Sequence, residues 1–184
     1  MADLRNVRTV FLDRDGTINV KADDGEYIRS PEDLVLLPGA ARAVAALNAA
    51  GLRTVLVTNQ RWLSDPGADA VRFDAVQRRL ERLLADEGAR LDAAYHCPHA
   101  TASCECRKPG AGMLTQAARE HAFELAESVM IGDSETDMEA GRAAGTATVL
   151  LRGGDGEAAG ADAVVDDLAA AVRLILSAKD SRSA

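Results

Sequence analysis

Short apolar runs alternate with helical patterns along the chain, and that alternation leaves few folds open. Val7, Val10, Phe11 and Leu12 form a run too short for a helix, which reads as a buried strand. Ala40, Ala43, Val44 and Leu47 then recur at helical spacing after Pro38-Gly39, and Gly51 closes that helix. Strands are expected at Leu52–Val57, more weakly at Leu91–Tyr95, and again at Ser128–Ile131 and Thr146–Leu151. A short apolar piece follows at Ala163–Val165. Between them the spacing predicts helices over about 71–86, 111–121, 135–144 and 168–178. Strand-helix alternation of this kind predicts a parallel sheet covered on both faces, a three-layer Rossmann-like α/β fold. Residues 1–178 read as one domain and 179–184 as a frayed polar tail.

In such a sheet, ligands sit beyond the carboxyl ends of the strands. The polar clusters of this chain fall there. The first strand ends in Asp13-Arg-Asp15-Gly16, the second in Thr58-Asn59-Gln60 and the fourth in Gly132-Asp133-Ser134, with Asp137 close behind. Arg107-Lys108 lies on the loop continuing the third strand. Residues i and i+2 of an extended chain face one side, so Asp13 and Asp15 share a space where two carboxylates call for a cation. Asp13, Asp15 and Asp133 together suit Mg²⁺, which prefers oxygen ligands. A carboxylate there can attack phosphorus, and a second can move the leaving group's proton. Thr58 can donate to a phosphoryl oxygen, and Lys108 can neutralise the charge that develops on it. Asp137, four residues after Asp133, can orient Lys108. Each cluster alone has a plainer reading: a polar turn at Asp13–Gly16 or Thr58-Asn59, a solvated charge at Lys108, a helix N-cap at Asp133.

The chain has 184 residues and a formal net charge of −8, which argues against a broad nucleic-acid surface. No N-terminal stretch reads as a signal peptide and no apolar run is long enough to span a membrane, so a cytoplasmic protein is expected. A monomer is expected. Aromatics make up only 3% of the sequence, which leaves Ala, Val and Leu to fill the core.

Its three cysteines, Cys97, Cys104 and Cys106, lie in one short loop with His99. An odd, clustered set is a poor disulfide framework, whereas three thiolates and an imidazole make a closed tetrahedral zinc site. Zinc here is expected to be structural, fixing the loop that presents Arg107 and Lys108.

The four clusters, Asp13-Arg-Asp-Gly-Thr17, Thr58-Asn-Gln60, Lys108-Pro109 and Gly132-Asp133-x-x-x-Asp137, together resemble the four motifs of the haloacid dehalogenase superfamily of phosphatases. The resemblance spans about Val7 to Leu151. It implies Asp13 as the nucleophile that forms an aspartyl-phosphate and Asp15 as general acid, then base. It also implies Mg²⁺ bound by the Asp13 side chain, the Asp15 backbone carbonyl and Asp133. The run from Cys97-Pro-His99 to Met113 is similar to the D-glycero-D-manno-heptose-1,7-bisphosphate 7-phosphatases, and the histidinol-phosphatase branch shares the loop. Ala111 and the short interval from His99 to Cys104 depart from the heptose pattern, as does Arg61-Trp62 where small residues usually follow motif two. The resemblance implies a small-molecule sugar phosphate as substrate, with Asn59, Gln60, Arg61, Arg107 and Ser134 as candidate contacts. Trp62 either stacks on the sugar or plugs the loop against the core. Short intervals between motifs leave no room for a cap domain, so the site is expected to be open, rimmed by the zinc loop and an Asn19–Arg29 flap. The alternative enzyme readings are a histidinol-phosphate phosphatase and a related sugar phosphatase of a specialised pathway; the reading from another class is a catalytically silent phosphate-binding module.

Overall fold

The computed structural model describes residues 4–23, 26–100, 104–152 and 160–181. Its strands are β1 (Thr9–Leu12), β2 (Arg53–Asn59), β3 (Ala93–Cys97), β4 (Ser128–Gly132), β5 (Ala147–Leu151) and β6 (Ala163–Val165). They form one sheet in the order β3-β2-β1-β4-β5-β6, and every neighbouring pair is parallel. The helices are α1 (Ala40–Ala49), α2 (Ala70–Ala85), α3 (Gly112–His121), α4 (Glu135–Ala144) and α5 (Leu168–Asp180).

Alternating side chains of the central strands feed two separate cores. Val10, Leu12, Leu56, Val129 and Ile131 point to one face, where they pack with Val44 and Leu47 of α1, Val76 and Leu80 of α2, and Val172 and Ile175 of α5. Phe11, Val55, Val57 and Met130 point to the other and meet Met113, Leu114 and Ala117 of α3 and Ala140 of α4. Period-2 alternation with both faces apolar is the signature of a sheet covered by helices on each side. The expected three layers are therefore present.

Sheet order puts the site where the winding reverses. The chain leaves β1 for β2 on one side and returns to β4 on the other, so the ends of β1 and β4 flank the crevice in which such sheets bind ligands. Register makes those ends level: Leu12 pairs with Leu56 and with Ile131. Asp13 continues the ladder by donating its N–H to the Ile131 carbonyl at 3.0 Å.

Between β1 and α1 the described chain forms only a 3-10 turn at Pro31–Asp33 and isolated bridges from Asn19 to Asp15 and to Leu36. There is a flap here and no cap domain among the described residues; Asp24 and Gly25 of that flap lie outside them. The glycine-rich stretch from Gly153 to Gly160 reads as a turn in the sequence, and all of it but Gly160 lies outside the described residues. One boundary needs correction. Helix α5 runs to Asp180, and Lys179 donates from Nζ to the Val7 carbonyl at 2.7 Å, so the start of the expected tail is helical and tied to the strand entry. Residues 182–184 are outside the description.

Leu47 is fully buried between α1 and the sheet. Leu47→Ala is expected to cost about 2–5 kcal/mol of stability by urea unfolding; a loss below about 1 kcal/mol would contradict this packing.

Candidate active site

Lys108 lies at the bottom of the crevice, almost fully buried. Its Nζ is 2.6 Å from Asp13 Oδ1 and 2.6 Å from Asp137 Oδ1, and it donates to the Val57 carbonyl at 2.9 Å. Burial works against the Lys108 charge, but the two carboxylates more than offset it and hold its pKa above the usual lysine value. For Asp13 burial dominates: it pushes the carboxyl up to about 7, with Lys108 opposing and Asp137 reinforcing. Asp137 is fixed by α4 itself. Ser134 is the N-cap of that helix, and Asp137 Oδ2 accepts from the Ser134 N–H at 3.1 Å and from its Oγ at 2.6 Å. Asp133 is therefore not the cap and is left to the site.

Oxygens of Asp13, Asp133 and Asp137 lie within 4.8 Å of one another. Two glycines permit this approach. Gly16 has φ +90°, and a Cβ there would fall 2.2 Å from Asp133 Oδ2; a Cβ on Gly132 would fall 2.3 Å from Asp137 Oδ2. A cluster of carboxylates with a fitted cradle suits a hard dication such as Mg²⁺. Burial raises the pKa of Asp133, opposed by Lys21, whose Nζ is 3.2 Å from Asp133 Oδ2.

Asp15 belongs to a different network. Its Oδ1 accepts from Arg14 Nε at 3.2 Å and from Asn19 Nδ2 at 2.9 Å, and its Oδ2 accepts from Arg14 Nη2 at 3.0 Å and Gln60 Nε2 at 2.9 Å. The Asp15 carboxylate is accordingly absent from the cluster that Asp13, Asp133 and Asp137 form. Sequence reasoning missed Arg14, Asn19 and Lys21. Asn19 follows Asp15 by four residues across a tight turn, and Arg14 sits between the two aspartates; both signals were available. Lys21 lies in a stretch without periodicity and had none.

A cleft of about 270 Å³ opens above, lined by Asp13, Asp15, Thr58, Lys108 and Asp133 below and by Lys21, Tyr27 and Ile28 of the flap above. Arg107, Asn59 and Ser134 also line it. Asn59 is chiefly a bracket, because its Nδ2 donates to the Lys108 carbonyl at 3.0 Å and its Oδ1 accepts the Lys108 N–H at 3.1 Å. Two expected substrate contacts are elsewhere. Gln60 is fully buried beneath the site, with its amide bonded to Asp15, Thr58 and Trp62. Arg61 opens a 3-10 turn, Arg61–Ser64, that carries it to the surface and outside the cleft lining. Trp62 is 2% exposed, which makes it a plug and not a sugar platform.

The cysteine loop closes on itself as expected. Cys106 Sγ is 3.2 Å from Cys97 Sγ and 3.2 Å from Cys104 Sγ, and His99 Nδ1 is 3.2 Å from Cys106 Sγ. Ligands around a tetrahedral zinc, with Zn–S near about 2.3 Å, stand roughly 3.8 Å apart, so the set fits zinc after a small expansion. Burial pushes the Cys106 thiol up to about 12 and also raises Cys97, a strain that a bound cation removes. The loop rests directly on the start of α3: a Cβ on Gly110 or Gly112 would lie 2.4 or 2.5 Å from the Glu105 carbonyl oxygen.

Purified protein is expected to carry about one zinc per chain, measured by elemental analysis. Cys106→Ser should drop that content well below one and lower the thermal midpoint; full zinc occupancy in the variant would contradict the site.

Comparison with known proteins places this geometry. Residues 105–171 match a family model described as HAD-hydrolase-like. The chain is 40% identical over 190 residues to the D-glycero-D-manno-heptose-1,7-bisphosphate 7-phosphatase of Thermosynechococcus vestitus, covering 90% of this chain and 94% of the relative. It is 36% identical over 151 residues to the D-glycero-beta-D-manno-heptose-1,7-bisphosphate 7-phosphatase of Bordetella bronchiseptica, covering 82% and 83%. The crystal structure of the B. bronchiseptica D,D-heptose 1,7-bisphosphate phosphatase, complexed with magnesium and phosphate, superposes with a TM-score of 0.83 at 35% identity, over 93% of this chain and 99% of that one. With motifs, fold and site in agreement, the chain belongs to the haloacid dehalogenase-like hydrolases, in the family of the D-glycero-D-manno-heptose-1,7-bisphosphate 7-phosphatases.

Proposed function

We propose that this protein is a Mg²⁺-dependent phosphomonoesterase that removes the 7-phosphate of D-glycero-D-manno-heptose 1,7-bisphosphate. The observation that carries the reading is the buried Asp13–Lys108–Asp137 arrangement at the floor of a cleft where Asp133 and Thr58 also converge. The relatives named for this activity, and the neighbour that holds magnesium and phosphate, support it.

In the first half-reaction an Asp13 carboxylate oxygen attacks phosphorus and the bond from phosphorus to the sugar oxygen breaks. The departing oxygen takes a proton from Asp15. In the second, water attacks the aspartyl-phosphate, Asp15 takes the water's proton back, and the Asp13–phosphorus bond breaks to release phosphate. Bound by Asp13, Asp133 and the Asp15 carbonyl, Mg²⁺ supplies charge neutralisation between the carboxylates and the phosphate dianion. Lys108 faces the same reacting group and stabilises charge on the phosphoryl oxygens, while Asp137 and the Val57 carbonyl keep its ammonium aimed there. Thr58 donates its hydroxyl proton to a phosphoryl oxygen. Arg107 on the rim is suited to the far phosphate by its planar set of donors. Ser134 lines the same wall, with its hydroxyl turned to Asp137.

The cleft is open and small, which suits an accessible sugar phosphate. The acidic surface disfavours nucleic acid, and no helix among the described residues is long and apolar enough to cross a membrane. We read the protein as a cytoplasmic monomer. The short interval from His99 to Cys104 favours histidinol phosphate as the second substrate to test.

A phosphate-release screen on heptose 1,7-bisphosphate, histidinol phosphate and other sugar phosphates is expected to give the highest kcat/KM for the heptose bisphosphate. Asp13→Asn is expected to abolish turnover on all of them. Higher efficiency on histidinol phosphate would overturn the substrate, and normal turnover by Asp13→Asn would overturn the mechanism.

A further inference from the structure

We infer that Trp62 is a positioning residue for the chemistry: through Gln60 it sets both the Asp15 carboxylate and the direction of the Thr58 hydroxyl. The inference rests on the phosphatase reading above. It arises from three hydrogen bonds. Trp62 Nε1 donates to Gln60 Oε1 at 2.9 Å, and Gln60 Nε2 donates to Asp15 Oδ2 at 2.9 Å and to Thr58 Oγ1 at 2.9 Å. Gln60 is fully buried and Trp62 nearly so.

An amide has two nearly isosteric orientations, and its surroundings must choose between them. The protonated form of Asp15, which gives its proton to the leaving group, can accept from Nε2 or donate to Oε1, and a hydroxyl such as Thr58 adapts to either. The indole N–H does not adapt, because it can only donate. It therefore pins Oε1 to its own side and turns both N–H groups toward the site. In the reversed orientation Oε1 would face the Asp15 carboxylate, and the amide N–H groups would face the indole N–H.

Two consequences reach the reacting atoms. Asp15 is held by Gln60 at the oxygen opposite the one that Asn19 holds, so the carboxylate that moves the proton has a fixed tilt. Thr58 receives a hydrogen bond from Gln60, which leaves its own proton to point into the cleft that it lines. The ring nitrogen alone sets this apart from a loop plug: a phenyl ring would fill the space and leave the amide free to turn whenever Asp15 is protonated.

The test exploits the fact that Trp62 is the chain's one tryptophan. Trp62→Phe, and biosynthetic replacement of tryptophan by benzothienylalanine, which exchanges the N–H for sulfur within the same bicycle, both delete the donor. Each should lower kcat about tenfold, the effect of one lost buried hydrogen bond, with KM changed less than about twofold. Gln60→Leu should lower kcat at least as far. The double variant Gln60→Leu/Trp62→Phe should match Gln60→Leu within about twofold, because Trp62 acts only through Gln60. Full kcat in the analogue-substituted protein overturns the proposal, and so does a double variant in which the two losses multiply. The analogue decides the matter should Trp62→Phe fail to fold. Assays use heptose bisphosphate and p-nitrophenyl phosphate together. A wild type inert on the sugar and active on the aryl ester removes the substrate reading, and the same coupling ratio on the aryl ester then decides the relay.

Discussion

A buried ammonium shared by two carboxylates holds this site together. Lys108 joins four pieces of chain: the residue after β1, the end of β2, the first turn of α4 and the loop that follows β3. Removing one partner from such a group leaves an uncompensated buried charge, at a cost of about 3–5 kcal/mol. The arrangement therefore sets the relative positions of the strand ends as much as it serves the chemistry. Asp13 stays within reach of Lys108, and the same Asp137 that holds Lys108 is locked by its own helix start. The cleft carries Asp13, Asp15, Asp133 and Asp137 against Lys108 below and Lys21 above, with Arg14 buried behind Asp15, so a dication is what makes it receptive to a phosphate.

The rest of the architecture positions that lysine. Asn59 clamps the Lys108 backbone from both sides, the cysteine loop folds the preceding segment into a knot, and Gly110 and Gly112 let that knot press against α3. A structural metal is well suited to this place. The loop is short and carries Arg107 to the rim, and it has little apolar surface of its own to bury. Loops thus form the rim of the cleft, while Asp13 and Asp133 stand at strand ends fixed by register.

The sheet, its helices and the four motifs were legible because each rests on local patterns: apolar alternation, helical spacing, caps and strand-terminal carboxylates. The pairing of Lys108 with Asp137 was expected once both converged on one rim of a parallel sheet, whereas its direct contact with Asp13 was not. What escaped was decided by packing that no local pattern announces. Gln60 looks like a substrate contact in the sequence, yet the turn after β2 rotates it beneath the site, where Trp62 and Asp15 take its amide. Arg61 was carried outward by the same turn. Lys21 comes to Asp133 from 112 positions away, a contact that only the folded flap creates. The end of α5 was read short because Lys179 is polar; its ammonium donates to the Val7 carbonyl just before β1.

The central claim is that Asp13, held against Lys108, takes the phosphoryl group covalently. The most direct measurement is a single-turnover, acid-quenched reaction with a substrate whose scissile phosphate is radiolabelled, followed by peptide mapping of the protein. Transient label that rises before free phosphate and maps to the peptide carrying Asp13 is the predicted result. Full turnover without label on the protein at any time, or with label on another residue, would contradict it.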